Sequence, residues 1–278
     1  MPAAHVTVLM RARNSEATLS AAIESVLAQT YTDFELLIID DASTDSTSAI
    51  ATSYMARDPR VQLIESATHL GVAEAANMGL RQAKGSLIAV MDSDDWCVPE
   101  RLQLQVSFLS EHPEVVICGG SIEVCDQSLR PILPCHYHLD DRAIRAHLFR
   151  YSPFAHSAVM YRKGAALSCD GYRRELTQGA EDYDFYFRIG HLGKFANLAQ
   201  TLVHLRTSSD SFSRRSRGLE LATFAVRVRA VFEYGYRPSP FEAPYSLALL
   251  ASTMMPAALR FWLFALLRHL AQTARNTN

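Results

Sequence analysis

Leu87-Ile88-Ala89-Val90-Met91-Asp92-Ser93-Asp94-Asp95-Trp96 decides the reading of this chain. An unbroken apolar run is the pattern of a strand buried on both faces, and here it ends in three carboxylates. Carboxylates packed this closely repel one another unless a cation sits among them, and hard divalent ions take oxygen ligands. Mg²⁺ characteristically takes one or two protein carboxylates and completes its shell with water and substrate phosphates. An Asp-x-Asp at a strand end therefore points to a phosphorylated substrate. Taken alone, the motif reads also as a solvated acidic turn that caps the next helix.

Upstream of it, strands and helices alternate. Val6 to Met10 is an apolar run followed by Arg11-Ala12-Arg13-Asn14-Ser15. Leu19, Ala22, Ile23, Val26 and Leu27 then recur at helical spacing, with Asn14 or Ser15 as the expected N-cap. Phe34 to Ile39 is a second strand, closed by Asp40-Asp41-Ala42-Ser43-Thr44-Asp45-Ser46, a turn and N-cap composition that leads into a helix to about Met55. Val61 to Ile64 reads as a third strand and Val72 to Lys84 as a helix stopped by Gly85. This rhythm predicts βαβ crossovers and a mainly parallel α/β sheet covered on both faces, where ligands bind beyond the carboxyl ends of the strands. The clusters at 11–14, 40–45 and 92–95 each follow a strand and should converge on that edge. Beyond it, Pro99 to Leu109 and Asp140 to Phe149 read as helices and Val115 to Val124 as a strand.

At 278 residues the chain has room for one large domain and an appendage. A formal net charge of −2 offers no global field for nucleic acid, so none is expected as a partner. Five cysteines without paired spacings indicate neither a disulfide framework nor a zinc site. The start, Met-Pro-Ala-Ala-His and a short run broken by Arg11 and Arg13, lacks the pattern of a signal peptide, and a cytoplasmic setting is expected. No Gly-x-Gly-x-x-Gly follows the first strand, which disfavours dinucleotide oxidoreduction. Aspartyl phosphohydrolases also use Asp-x-Asp, but there it resembles a first-strand motif followed by Thr or Val rather than by Asp-Trp.

Four stretches together resemble family 2 glycosyltransferases of the GT-A fold: Gln29 to Asp45, Gly71 to Asn77, Gly85 to Asp95, and Gly179-Ala180-Glu181-Asp182-Tyr183-Asp184. The resemblance covers roughly residues 5 to 213. It implies a nucleotide-diphospho-sugar transferase domain over 1–215, with 1–98 binding the nucleotide sugar and 99–215 the acceptor, and a helical extension over 216–278. By position, Asp41 and the loop after the first strand would hold the nucleoside, with uridine the expected base. Asp92 and Ser93 would approach the ribose or donor sugar, Asp94 would ligate Mn²⁺ or Mg²⁺, and Asp182 would be the catalytic base of an inverting transfer. Asp40, Asp45 and Asn14 read as turn and cap residues, and Asp95 as a site residue or the N-cap of the helix at Pro99. Glu181 and His156 would face the acceptor, a glycan or lipid-linked saccharide such as those of surface polysaccharides, although His156 reads equally as a core histidine.

Two departures stand out. Relatives usually carry Pro and Tyr where this chain has Arg11 and Arg13, whose guanidinium groups suit a diphosphate or a stacked base. Many also place a histidine two residues after the Arg that matches Arg206; that position is Ser208 here, with His204 as a substitute ligand. The competing reading is a catalytically silent nucleotide- or glycan-binding protein on the same fold. The tail is apolar and uncharged from Ala243 to Leu259 and again from Phe261 to Leu267, interrupted by Arg260. It reads as helices lying on a bilayer surface, a peripheral membrane contact, or as a helical hairpin packed on the main domain or on a twin subunit in a homodimer. The basic residues Arg214, Arg215 and Arg217 read as closing over the diphosphate, meeting anionic head groups or lying on a solvated helix face.

Overall fold

The computed structural model describes residues 5–176, 179–207, 217–239 and 242. Its first half is the expected alternation: β1 (Val6–Ala12), α1 (Leu19–Leu27), β2 (Phe34–Asp40), α2 (Thr47–Met55), β3 (Val61–Glu65), α3 (Val72–Gln82) and β4 (Leu87–Asp92). These four strands pair in parallel in the order β3-β2-β1-β4. The apolar runs have no polar alternation because both faces are covered. On β1, Val6, Val8 and Met10 face the core under α1, α2 and the helix Arg101–Glu111, while Leu9 faces the core under α3 and the helix Glu181–Ile189.

The second half is mixed. β5 (Trp96–Cys97), α4 (Arg101–Glu111), β6 (Val115–Cys125), β7 (Pro131–Cys135), α5 (Asp141–His147), a 3₁₀ turn (His156–Ala158), β8 (Met160–Arg162), α6 (Lys163–Ser168), α7 (Glu181–Ile189), β9 (Lys194–Arg206) and α8 (Arg217–Phe232) follow. β8 runs antiparallel to both β4 and β6, so it joins the parallel half to β6, which pairs in parallel with β9. The sheet ends at β5, antiparallel to β9, and thereby returns the segment after the acidic motif to the far edge.

Several expected caps are overturned. Helix α1 begins at Leu19, with Thr18 at its N-cap and no side-chain cap bond. Asn14 instead adopts a left-handed conformation (φ 49°) and accepts from Thr44 N–H at 2.9 Å, while Ser15 N–H donates to Thr47 Oγ1 at 2.7 Å. The loops after β1 and β2 satisfy one another, which leaves nothing for a cap. Ser46, at the N-cap of α2, makes no side-chain cap bond either; Asp45 closes the turn onto Thr47 N–H at 3.0 Å. Helix α4 starts two residues beyond Pro99 and carries Glu100 at its N-cap, so Asp95 does not cap it. Asp140 does cap α5, accepting from Ala143 N–H at 2.9 Å.

Candidate active site

The parallel register brings the polar clusters together. Arg11 stands opposite Asp92 across the β1–β4 pair, and Ala12 opposite Asp40 across β1–β2. Beyond this edge opens a cleft of about 400 Å³ lined by Arg11, Arg13, Asp41, Asp92, Ser93 and Asp94, all six residues expected at the donor, together with His69 and Val72. Ser15 and Ser93 hydroxyls meet at 2.8 Å and tie the loop after β1 to the acidic loop.

Each carboxylate has a distinct setting. Asp40 is buried and accepts from Ser43 N–H and its hydroxyl, the expected turn role. Asp41 is buried too. Its oxygens accept from Leu70 N–H at 2.5 Å and Gly71 N–H at 3.0 Å and meet His69 Nδ1 at 2.8 Å, so it anchors the start of α3 against the cleft wall. Asp92 is half-buried and paired with Arg11 Nη2 at 3.0 Å. Asp94 is exposed on the cleft; desolvation and the Asp92 charge both raise its pKa, against Arg206. Asp95, fully enclosed, is pushed up to about 8 by burial and by Asp92 and Asp94, although it accepts from Arg206 N–H at 2.9 Å. Arg206 also donates from Nε to the Asp94 carbonyl at 2.8 Å, which fixes the acidic loop to the end of β9. The sequence flagged Arg206 only as a landmark; its role depends on a contact between residues more than a hundred positions apart.

Asp182 stands in the first turn of α7, beyond the lining of this cleft. Gly179 (φ 92°) and Ala180 (φ 66°) form the left-handed turn that starts this helix at Glu181. Burial first, and the Glu181 charge second, raise the Asp182 carboxyl to about 7, against Tyr183 N–H and Arg11. The other acid of that motif, Asp184, is fully buried and serves the core: Arg188 Nε reaches it at 2.7 Å and Tyr234 Oη at 2.9 Å. His156 Nδ1 meets Tyr186 Oη at 2.8 Å and Nε2 lies 3.4 Å from Tyr172 Oη. Burial and the Arg11 charge lower its pKa to about 3, so it is neutral and hydrogen-bonds through both nitrogens. Arg11 is the shared neighbour: it pairs with Asp92, and its charge acts on both His156 and Asp182. His204 lies edge-on to Trp96, with Nδ1 3.8 Å from Cys125 Sγ. Ser208 and the run 214–215 fall outside the described residues, as does the side chain of Arg217.

Among the described residues no group of three or more His, Cys, Asp or Glu converges into a cage for a metal. Burial first, and the neighbouring carboxylates second, raise both Asp94 and Asp95; the crowding of carboxylates nevertheless fits a hard divalent cation that draws most of its ligands from substrate and water.

The sequence profile of glycosyl transferase family 2 matches residues 7–167. The chain belongs to the family 2 glycosyltransferases. EpsE of Bacillus subtilis (strain 168) is 38% identical over 217 residues, 76% of each chain. The Escherichia coli WfgD, a UDP-Glc:α-D-GlcNAc-diphosphoundecaprenol β-1,3-glucosyltransferase, is 39% identical over 123 residues, 44% of this chain and 47% of WfgD. Among solved structures, the mannosyltransferase PcManGT of Pyrobaculum calidifontis, in complex with GDP-Man and Mn²⁺, superposes with a TM-score of 0.66 at 19% identity. That match covers 98% of this chain and 76% of PcManGT and establishes the shared GT-A architecture. The family is one of enzymes that take sugars from nucleotide-sugar donors.

Proposed function

We propose that this glycosyltransferase moves a sugar from a UDP-sugar to a hydroxyl of a glycan or lipid-linked saccharide, with inversion and with the help of Mn²⁺ or Mg²⁺, in surface polysaccharide synthesis at the cytoplasmic face of the membrane. The observation that carries the reading is Asp182, a carboxyl raised to about 7 beside the Arg11–Asp92 pair at the margin of the donor cleft. The WfgD donor and acceptor support the substrate class, and the Mn²⁺ of PcManGT supports the cation.

In this reading the nucleoside lies against Arg13 and the Asp41 wall, and Arg11, Asp92 and Ser93 face the diphosphate and donor sugar. The acceptor enters past Glu181 and the neutral His156. Asp182 takes the proton of the attacking hydroxyl as the new bond to the anomeric carbon forms and the bond to the diphosphate breaks on the opposite side. A Mn²⁺ or Mg²⁺ held by Asp94 would supply Lewis-acid stabilisation of the departing diphosphate. Residues 1–98 thus act as the donor half and 99–215 as the acceptor half.

Thermal-shift titration with UDP-, GDP-, dTDP- and CMP-sugars, with and without Mn²⁺, tests the donor site. A metal-dependent shift for UDP-sugars that Asp94→Ala loses is the expected result. Transfer by wild type, absent in an Asp182→Asn protein that still binds donor, completes the test. Donor binding without transfer in either protein would instead mark a silent binding protein.

A further inference from the structure

A second cavity, of about 460 Å³, lies between α3, α6, the turn that follows α6, and α7, and it shares no lining residue with the cleft. Its size is ordinary for a small-molecule site, where volumes run from about 300 to 1,000 Å³. The floor is fixed by Asn77. Its Nδ2 donates to the Tyr172 carbonyl at 2.7 Å, and its Oδ1 accepts from Tyr172 N–H at 2.8 Å. Gly171, at φ 61°, admits this side chain, since a Cβ there would stand 2.3 Å from Asn77 Oδ1.

The wall is dense in charge and yet balanced. Arg81, Arg173, Arg174 and Arg188 are joined on it by Asp170 and Glu175, with two more acids just behind. Glu74 pairs with Arg81 at 2.8 Å and with Arg174 at 2.6 Å, and Asp184 with Arg188 at 2.7 Å and with Arg173 at 3.6 Å. Glu233, which also meets Arg173, is matched in turn by Arg229. The guanidinium and carboxylate charges cancel, which favours neither an anion nor a cation. The pairs still leave hydrogen-bonding capacity, because a guanidinium has more donors, and a carboxylate more acceptor sites, than one pair uses. Arg188 adds a stronger demand. Its side chain is 10% exposed, Nε is taken by Asp184 and Nη1 by the Cys169 carbonyl, and Nη2 is buried with no hydrogen-bond partner among the described residues. A buried donor without an acceptor is costly, and a hydroxyl seated against Arg188 supplies one. Leu80 and the half-exposed Leu167 add an apolar patch. Balanced charges with spare donors and acceptors, beside a small apolar patch, suit a neutral ligand of many hydroxyls, and a saccharide has that chemistry.

Two shared pieces of structure join the cavity to the cleft. Val72 and Ala75 of α3 line the cleft, and Asn77, Leu80 and Arg81 of the same helix line the cavity. Val72 to Arg81 is about 14 Å along the helix axis. Tyr172, whose backbone Asn77 holds, sends its hydroxyl inward to within 3.4 Å of His156 Nε2, the histidine that meets the acceptor in the proposed reaction. We infer that this cavity is a saccharide subsite that holds sugars of the acceptor distal to the reacting hydroxyl. The acceptor is then an oligosaccharide that extends along α3 rather than a single sugar. The identity of the ligand rests on the proposed transfer; the character of the cavity does not.

Saturation-transfer NMR of the full chain tests this inference, with glucose, galactose, mannose and N-acetylglucosamine and their linear trisaccharides as probes. At least one trisaccharide is expected to bind wild type about tenfold or more tighter than its monosaccharide, because the added hydroxyls find further partners. Arg81→Ala/Arg174→Ala should weaken that trisaccharide about tenfold. Leu167→Asp, at an exposed position, should weaken it as well. Both variants should keep the donor-induced thermal shift of wild type, which shows them folded. Wild type that binds no trisaccharide tighter than its monosaccharide, or variants that bind it equally well, overturn the inference. So does displacement of the trisaccharide by inorganic phosphate, which assigns the cavity to an anion. Trisaccharide binding that the variants lose, in a protein that transfers no sugar, upholds the subsite and rejects the proposed reaction. Transfer to a trisaccharide that neither variant alters does the reverse.

Discussion

Asp182 is enclosed enough to be raised to about 7, yet Arg11 lies near enough to restrain the rise. In the proposed reaction Asp182 is the base and must be deprotonated to work, so transfer should increase with pH up to and through about 7 and then level off. Asp182→Asn should remove that limb and lower the rate by about 10²- to 10⁴-fold, the usual contribution of a positioned base. Arg11→Met should move the limb to higher pH, since the charge that holds the carboxyl down is gone; pH-rate profiles at saturating donor check both. Arg101 shows the opposite use of a charged side chain. It is 1% exposed beneath the acidic loop, and its Nη2 donates to the Val90 carbonyl at 2.7 Å and to the Val159 carbonyl at 3.3 Å. It thus clamps the end of β4 to the segment that carries His156. Arg101→Met leaves the Val90 carbonyl without this donor and should cost about 1–3 kcal/mol in a denaturant melt. Asp92, Asp94 and Asp182 were legible because their motifs are local. Arg11 was singled out for its charge, but its pairing with Asp92, and the contacts of Arg206, Tyr172 and Tyr186, join segments far apart in the chain and left no local signal.

Strands β1, β2 and β4 were readable because burial on both faces writes a near-continuous apolar run into each, and the edge strand β3, only partly buried, was readable from its place in the alternation with the crossover helices. β5, of two residues, and β8, of three, are too short to show a period, and β7 begins with Pro131 and has an exposed face. These elements exist because long-range pairing holds them. The join between α3 and β4 leaves no room for a side chain. A Cβ on Gly85 would stand 2.4 Å from Thr7 N and 2.7 Å from the Val6 carbonyl carbon, both backbone atoms that cannot step aside. Gly85→Ala should therefore destabilise by about 1–3 kcal/mol or more. Gly164→Ala in α6 meets nothing within 4 Å and should stabilise by about 0.4–1 kcal/mol. Urea unfolding midpoints of the two variants, compared with wild type, check the pair.

For the molecule as a whole, the raised Asp182 carboxyl makes stability depend on pH. The unfolded carboxyl loses its proton near pH 4, the folded one only near 7. Between those values the folded state holds the Asp182 proton that the unfolded chain has lost, so this carboxyl's contribution to stability falls as pH rises and flattens above about 7. Asp95, raised to about 8, acts in the same direction and His156, lowered to about 3, in the opposite one. Asp182→Asn should remove this contribution in melts taken between pH 4 and 8, and a pH profile unchanged in the variant would show that other groups set it.

The acidic loop is closed by a bond from the Arg206 amide to the Asp95 carboxylate, 111 positions along the chain. On a ribosome adding about 5–20 residues each second, Asp92 to Asp95 therefore emerge several seconds before the strand that secures them. The parallel half can collapse early on its local βαβ contacts, but the carboxylates reach their final arrangement only after β9 has been made and threaded between β6 and β5. The nascent chain is consequently assembled with its parallel sheet first and its charge centre last.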